Sequence, residues 1–220
     1  MVSPIADTRR EAILSASLEL LDASGVEGIS MASIAQATGL SRPAIYQYFS
    51  SRENILGELL INDMADLSNE IDRIVSAEQE PMEQVRLWIH YSLAHMASKE
   101  HRVVREISVK NLREEQRGEL MAMHGYFLTS LISPLKELGI EDPSSQVSLI
   151  FAAITSAAER IDSGKPFITE AAALEKTSMA AILGGEQAVI EEALAGLGLE
   201  PANYNGGGQI VAAGAAEAIA

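Results

Sequence analysis

The sequence has no cysteine. Disulfide staples and thiolate chemistry are therefore excluded, and nothing points to an oxidising compartment. Aromatic residues make up only 5% of the chain. A β-rich core, which draws on aromatic and β-branched side chains, is disfavoured by that scarcity. No apolar run approaches the roughly 18 residues that a membrane helix needs. The opening stretch MVSPIADTRRE lacks the apolar segment of a secretory signal. A cytoplasmic protein without membrane partners is expected. Basic residues are also scarce: 16 Lys and Arg stand against 31 Asp and Glu, a formal net charge of −15.

What is present is helical. Nearly half of the 220 residues are apolar, and Ala, Leu, Ile and Glu recur at three- and four-residue spacings. An all-α fold is expected, with enough chain for a substantial core. Thr8 to Glu11 reads as a capping box that opens a helix running to about Ser24, with Ile13, Leu14, Ser17, Leu18 and Leu21 in phase. Ser30 caps a short helix to about Ala37. Gly39 allows a tight turn with positive φ. Ser41 caps a third short helix, with Pro43 in its first turn. Ser50 to Glu53 reads as a second capping box, opening a long helix from about Arg52 to Ser76. Further helices are expected from Pro81, around Arg102 to Leu112, from Glu114 to Leu138, from Pro143 after an Asp142 cap, and from Thr169 to the Gly184-Gly185 stop. A weaker one is expected from Gln187 to Leu197. The last stretch is Gly- and Ala-rich and reads as a mobile tail.

The segment from Ile29 to Leu56 carries the chemistry. Two short helices joined by a Gly-containing turn form the generic helix-turn-helix pattern. The order Ser30, Ile34-Ala35, Gly39-Leu40-Ser41, Ile45-Tyr46, Tyr48-Phe49, Arg52-Glu53 and Leu56 closely resembles the signature of the TetR family of transcriptional regulators. The resemblance covers roughly residues 8–56. Arg52 stands where lysine is usual, and Arg42-Pro43 where small residues are common. The resemblance implies a helix-turn-helix domain over residues 1–52, a helical ligand-binding and dimerisation domain over 53–200, and a tail over 201–220. It also implies a homodimeric repressor on a palindromic double-stranded operator, released by a small, partly apolar effector. An activator fits the same fold.

The residue roles follow from groove chemistry. The start of a recognition helix meets base edges in the major groove. Here that start is Ser41, Arg42, Pro43 and Ala44, with Gln47 one turn on. Arg can bridge guanine O6 and N7, and Gln can bridge adenine N6 and N7. Arg42 on phosphate is the alternative. Tyr46 and Tyr48 carry hydroxyls suited to phosphate, with Tyr46 half in the core as the alternative. Ser30, Ser33 and Arg52 sit at helix starts, where free N–H groups and the dipole favour phosphate.

The same unit is nearly neutral. Its first 52 residues hold four arginines against five acids, so the later segment carries −14 of the −15. Affinity depends on local charge, and few basic side chains are available. In the later segment Trp88, Tyr91, Met96, Met121, His124, Phe127 and Phe151 are the candidate ligand-pocket residues. Plain core packing is their alternative reading, and for His124 a satisfied core histidine. Ala152, Ala153, Ser156, Ala157 and Ala180 are small enough for close helix approach across a dimer. His90, His95 and His101 lack the four-residue spacing of a helical metal pair, so no metal or cofactor is expected. No nucleophile triad or phosphate loop stands out, and an enzyme is not expected. A helical interaction adaptor would suit the acidity but leaves the Gly39 to Arg52 register unexplained.

Overall fold

A computed structural model describes residues 4–182, 200–205 and 209–213. Ten α-helices occur among them: α1 (Pro4–Ser24), α2 (Met31–Thr38), α3 (Arg42–Tyr46), α4 (Arg52–Val75), α5 (Pro81–Met96), α6 (Lys99–Val104), α7 (Glu114–Thr129), α8 (Ile132–Glu137), α9 (Pro143–Asp162) and α10 (Phe167–Ile182). They divide into two compact units. One comprises residues up to Asp66 together with Lys99–His124; the other comprises Leu67–Ser98 and the chain from Gly125 onward. The division differs from a boundary at residue 52. Val104, Ile107 and Leu112 join the same buried cluster as Ile13, Ile34 and Ile55, so hydrophobic burial recruits the segment around α6 to the first unit.

In the first unit, α1 turns Ile13, Leu14 and Leu21 inward. Ser17 is also buried there, and its hydroxyl donates to the Ile13 carbonyl at 2.7 Å, which satisfies it locally. The helix starts at Pro4, one turn before the expected Thr8 cap. Proline tolerates the first helical turn because its missing N–H has no intrahelical partner there. Ser30 caps α2 in a reciprocal box with Ser33: Ser33 N donates to Ser30 Oγ at 3.0 Å, and Ser30 N donates to Ser33 Oγ at 2.9 Å. Gly39 closes α2 at φ 68°, the left-handed region that the turn into α3 demands. Ser41 then caps α3 by accepting from Ala44 N.

The cap of α4 is shifted by one residue from the expected box. Ser51 Oγ, not Ser50, accepts from Asn54 N at 3.2 Å, while Ser50 N donates to Asn54 Oδ1 at 3.3 Å. Both orphan donors are still satisfied. Further along, Gly57 is buried against α7. A Cβ at this position would lie 2.4 Å from Gln116 Nε2. That amide is itself buried and donates to the Asn54 carbonyl at 2.9 Å. The glycine is therefore a keyhole for Gln116.

The second unit is organised by α5 and α9. Trp88 is fully buried and stacks on Phe127 with ring centroids 4.7 Å apart; Phe151 meets Phe127 edge-on at 6.1 Å. The expected single helix from Glu114 to Leu138 is broken between α7 and α8. Pro134 has no N–H to return to the Ser130 carbonyl, and its ring crowds that position. Asp142 caps α9, accepting from Ser145 N at 3.1 Å and from the Ser145 hydroxyl at 2.6 Å, and the hydroxyl bond holds its carboxyl below the ordinary range. α10 is tied to α9 by Arg160 on the buried Glu170 at 2.7 Å, and to α5 by Glu175 on Arg86 and His90. It begins at Phe167, directly after Pro166, two residues before the expected Thr169 cap.

The stretch read as a tail contains two antiparallel strands, β1 (Glu200–Asn205) and β2 (Gln209–Ala213). The helix expected over Gln187–Leu197 and the Gly184-Gly185 stop lie outside the described residues.

The Gly57 keyhole makes a signed prediction. Gly57→Ala displaces the Gln116 amide and lowers thermal stability. In a Gln116→Ala background the same substitution stabilises by about 1 kcal/mol through helix propensity. A double-mutant cycle read by thermal unfolding checks the sign reversal.

Candidate nucleic-acid interface

α3 has only five residues and cannot hold itself together. It is held from one side. Ile45 is fully buried and Phe49 nearly so, just beyond its C-terminus. Arg42, Pro43, Tyr46 and Gln47 are left exposed, Tyr46 by 50%. These four lie on one helical face, because 42 and 46, and 43 and 47, are four apart. Ala44 and Tyr48 are half-buried, and Tyr48 packs against the core. The exposed face combines one guanidinium, one carboxamide and one phenol on a rigid base. That set can read guanine and adenine edges and hold phosphate.

The caps supply the second element. Ser30 and Ser41 are exposed at the starts of α2 and α3, each engaged with its own helix. Ser33 is half-buried, and its hydroxyl lies 3.0 Å from both the Gly28 and Ser30 carbonyls. Ser33 is thus a structural cap before it is a contact.

Arg52 differs from the expectation of a phosphate contact. Its Nε donates to the Ile29 carbonyl at 2.7 Å and its Nη2 to the Val26 carbonyl at 2.5 Å. The third nitrogen lies 3.6 Å from Glu53. The fork is committed to the backbone between α1 and α2. No sequence signal could show this, because both carbonyls are more than twenty residues away. Arg10 is likewise engaged, pairing with Glu58 and lying over the Phe49 ring at 5.0 Å.

The candidate pocket residues are divided between the two units. Trp88, Phe127 and Phe151 form the aromatic core of the second unit. Tyr91 is exposed and Met96 half-buried in that unit. Met121 and His124 belong to the first unit, where Met121 is 72% exposed. Burial pushes the His124 imidazole below its usual range, so it is neutral near pH 7. The cleft of the second unit, about 540 Å³, has another lining: Asp72, Val75, Ser76, Gln84, Tyr126 and Glu137, with four further residues from Thr129 to Pro134. Sequence reasoning missed it because polar residues on helix faces read as solvated surface.

Residues 13–59 match the family described as bacterial regulatory proteins, tetR family. The chain carries a TetR-family DNA-binding domain. Two curated relatives are similar over part of the chain. A malonyl CoA-acyl carrier protein transacylase of Mycolicibacterium smegmatis is 52% identical over 52 residues, which cover 24% of this chain and 18% of the relative. The nucleoid occlusion factor SlmA of Vibrio vulnificus is 34% identical over 87 residues, 39% of this chain and 44% of the relative. The chain therefore spans less than half the length of either, and the transacylase match falls on the helix-turn-helix region alone. The solved structure of the transcriptional regulator FadR from Bacillus subtilis in complex with stearoyl-CoA has TM-score 0.64 at 17% identity, covering 76% of this chain and 96% of that one. This likeness shows a shared fold. Among the described residues no helix is long and apolar enough to cross a membrane.

Two outcomes separate reading from scaffolding. Gln47→Ala should cost about 1–3 kcal/mol on the preferred site and little on scrambled DNA, measured by fluorescence anisotropy. Arg52→Ala should destabilise the fold by about 2 kcal/mol through two lost charge-assisted bonds. In salt titrations of the folded variant the log–log slope of DNA binding should stay at the wild-type value, whereas loss of a phosphate contact would flatten it by about one unit.

Proposed function

We propose that this chain is a homodimeric transcriptional repressor that binds a palindromic operator through α3 and is released by a small, partly apolar effector. The observation that carries the reading is the exposed Arg42, Pro43, Tyr46 and Gln47 face on a helix whose other side is buried. Such a face has no structural use in an isolated chain. It has the residue types that read base edges.

Dimerisation is argued from reach. One five-residue helix contacts too few base pairs to select a site, and two-fold pairing doubles the reading length. α9 and α10 offer a surface for it. Ala152, Ser156 and Ala180 remain partly accessible on these helices, as does Leu149 in a shallow groove beside Ala181. Ala153 and Ala157 are buried within the chain itself, so their small size serves the packing of α9 and not a partner.

Release by an effector requires that the ligand prefer the state that binds DNA poorly; the coupling is then reciprocal. α4 is the element suited to carry it. Its first turns belong to the DNA-binding unit and its last turns to the second unit. The cleft near its C-terminal end is large enough for a small organic molecule. The stearoyl-CoA of the Bacillus subtilis regulator supports a ligand with an apolar part.

Selection of bound DNA from a random pool tests the reading. An inverted repeat with half-sites about 34–36 Å apart is expected. Leu149→Glu should sediment as a monomer and lose the repeat while retaining its helical content. A wild-type chain that sediments as a monomer, or a pool without symmetry, refutes the dimeric operator.

A further inference from the structure

We infer that the cleft of the second unit is a site for an organic cation: a protonated amine with an apolar body. The proposal rests on the regulator reading only for the consequence of binding, not for the binding itself.

The argument is a donor account of the lining. Every side-chain donor there is already spent. Tyr126 donates to Asp72 Oδ2 at 2.9 Å. The Ser76 hydroxyl donates to the Asp72 carbonyl, Thr129 to the Tyr126 carbonyl, and Ser130 to the Phe127 carbonyl. Ser133 donates to Glu137 Oε1 at 3.3 Å. Both bonds from Gln84 Nε2 go to backbone carbonyls, of Val75 and Glu78. What the side chains keep for a ligand is acceptor capacity: the second carboxylate oxygens of Asp72 and Glu137 and the amide oxygen of Gln84.

Charge points the same way. Asp72 and Glu137 are lining residues, and no Lys, Arg or His is among the described residues of the lining. A neutral donor would hydrogen-bond the same acceptors but leave the two negative charges uncompensated. An anion would meet two like charges and no side-chain donor. An ammonium group supplies three N–H donors and the opposite charge. Val75 and Pro134, both buried and both on the lining, offer the apolar contact that a carbon chain would cover.

The unit contains its own reporter. Trp88 is the chain's single tryptophan, and its indole N–H donates at 3.0 Å to Ser130, a lining residue. Titration of the full chain with n-hexylamine at pH 7, followed by tryptophan fluorescence and by calorimetry, tests the proposal. Saturable binding is expected, with n-hexanol and hexanoate weaker by about tenfold or more. Hexyltrimethylammonium, a cation without N–H donors, should fall between them. Asp72→Asn with Glu137→Gln keeps oxygen acceptors for Tyr126 and Ser133 and should weaken hexylamine at least about tenfold with an unchanged melting curve. Glu137→Gln alone, at an exposed position, provides the same reading if the double variant does not fold.

Equal binding of hexanol or hexanoate overturns the proposal. So does absence of hexylamine binding, or hexylamine binding that survives the substitutions. DNA affinity is read separately by anisotropy on a selected operator. Hexylamine binding that leaves DNA affinity untouched upholds the site and removes its role as the effector pocket.

Discussion

The first unit depends on the hold of one guanidinium on two carbonyls. Arg52 is the first residue of α4, and the Val26 and Ile29 carbonyls belong to the connection between α1 and α2. The fork fixes the start of α4 against the entry to α2. α3 lies between those helices in sequence and buries little beyond Ile45. Its orientation is therefore inherited from the frame that Arg52 closes. A lysine is a point charge and cannot span two carbonyls with planar, paired donors. The arginine that stands here in place of the family's usual lysine thus adds a second fixed bond, and with it rigidity under the reading face.

The second unit has a comparable dependency, built from a break and not from a charge. A buried indole N–H needs an acceptor. Ser130 supplies it at the point where Pro134 interrupts the helix that would otherwise join α7 to α8. The same interruption lets the Ser130 hydroxyl turn back onto the Phe127 carbonyl. Packing of Trp88 on Phe127 and the polarity of the cleft are therefore linked through one serine. Three of the residues that sequence analysis offered as pocket walls, Trp88, Phe127 and Phe151, form the aromatic core of this unit.

What was legible in the sequence was local. Gly39 at positive φ, Ser30 and Ser41 as caps, and Asp142 before Pro143 all act within four residues, and each stands where its chemistry placed it. The inward Ile34, Ile45 and Phe49 followed from period alone. The departures have tertiary or competing local causes. Ser51 replaces Ser50 as the cap, with Asn54 rather than Glu53 as the partner: Asn54 N donates to Ser51 Oγ, and Asn54 Oδ1 accepts from Ser50 N. Arg52 had a plausible phosphate role until distant carbonyls claimed it. Val104, Ile107 and Leu112 joined the first unit through burial that no periodicity announces. Met121 was a candidate pocket residue and is 72% exposed, while its neighbour Leu120 packs against the core of the first unit.

On the proposed reading, the arginine commitments sharpen the electrostatic problem of an acidic protein that binds DNA. Four arginines lie within the first 52 residues. Arg10 and Arg52 are engaged inside the fold. Arg9 and Arg42 are exposed. Counterion release scales with the number of phosphates neutralised, so this stretch can contribute only a small salt-dependent share of affinity. On the proposed reading the remainder comes from neutral donors: capped helix starts, the Tyr46 hydroxyl and the Gln47 amide. Such contacts are short-ranged and geometrically strict, so they discriminate between sites better than they attract the chain to DNA. Pairing two such faces adds their free energies while the ordering cost is met once. On the proposed reading, a nearly neutral reading unit and a two-fold dimer are therefore one design, in which weak attraction to random DNA leaves specificity to carry the binding.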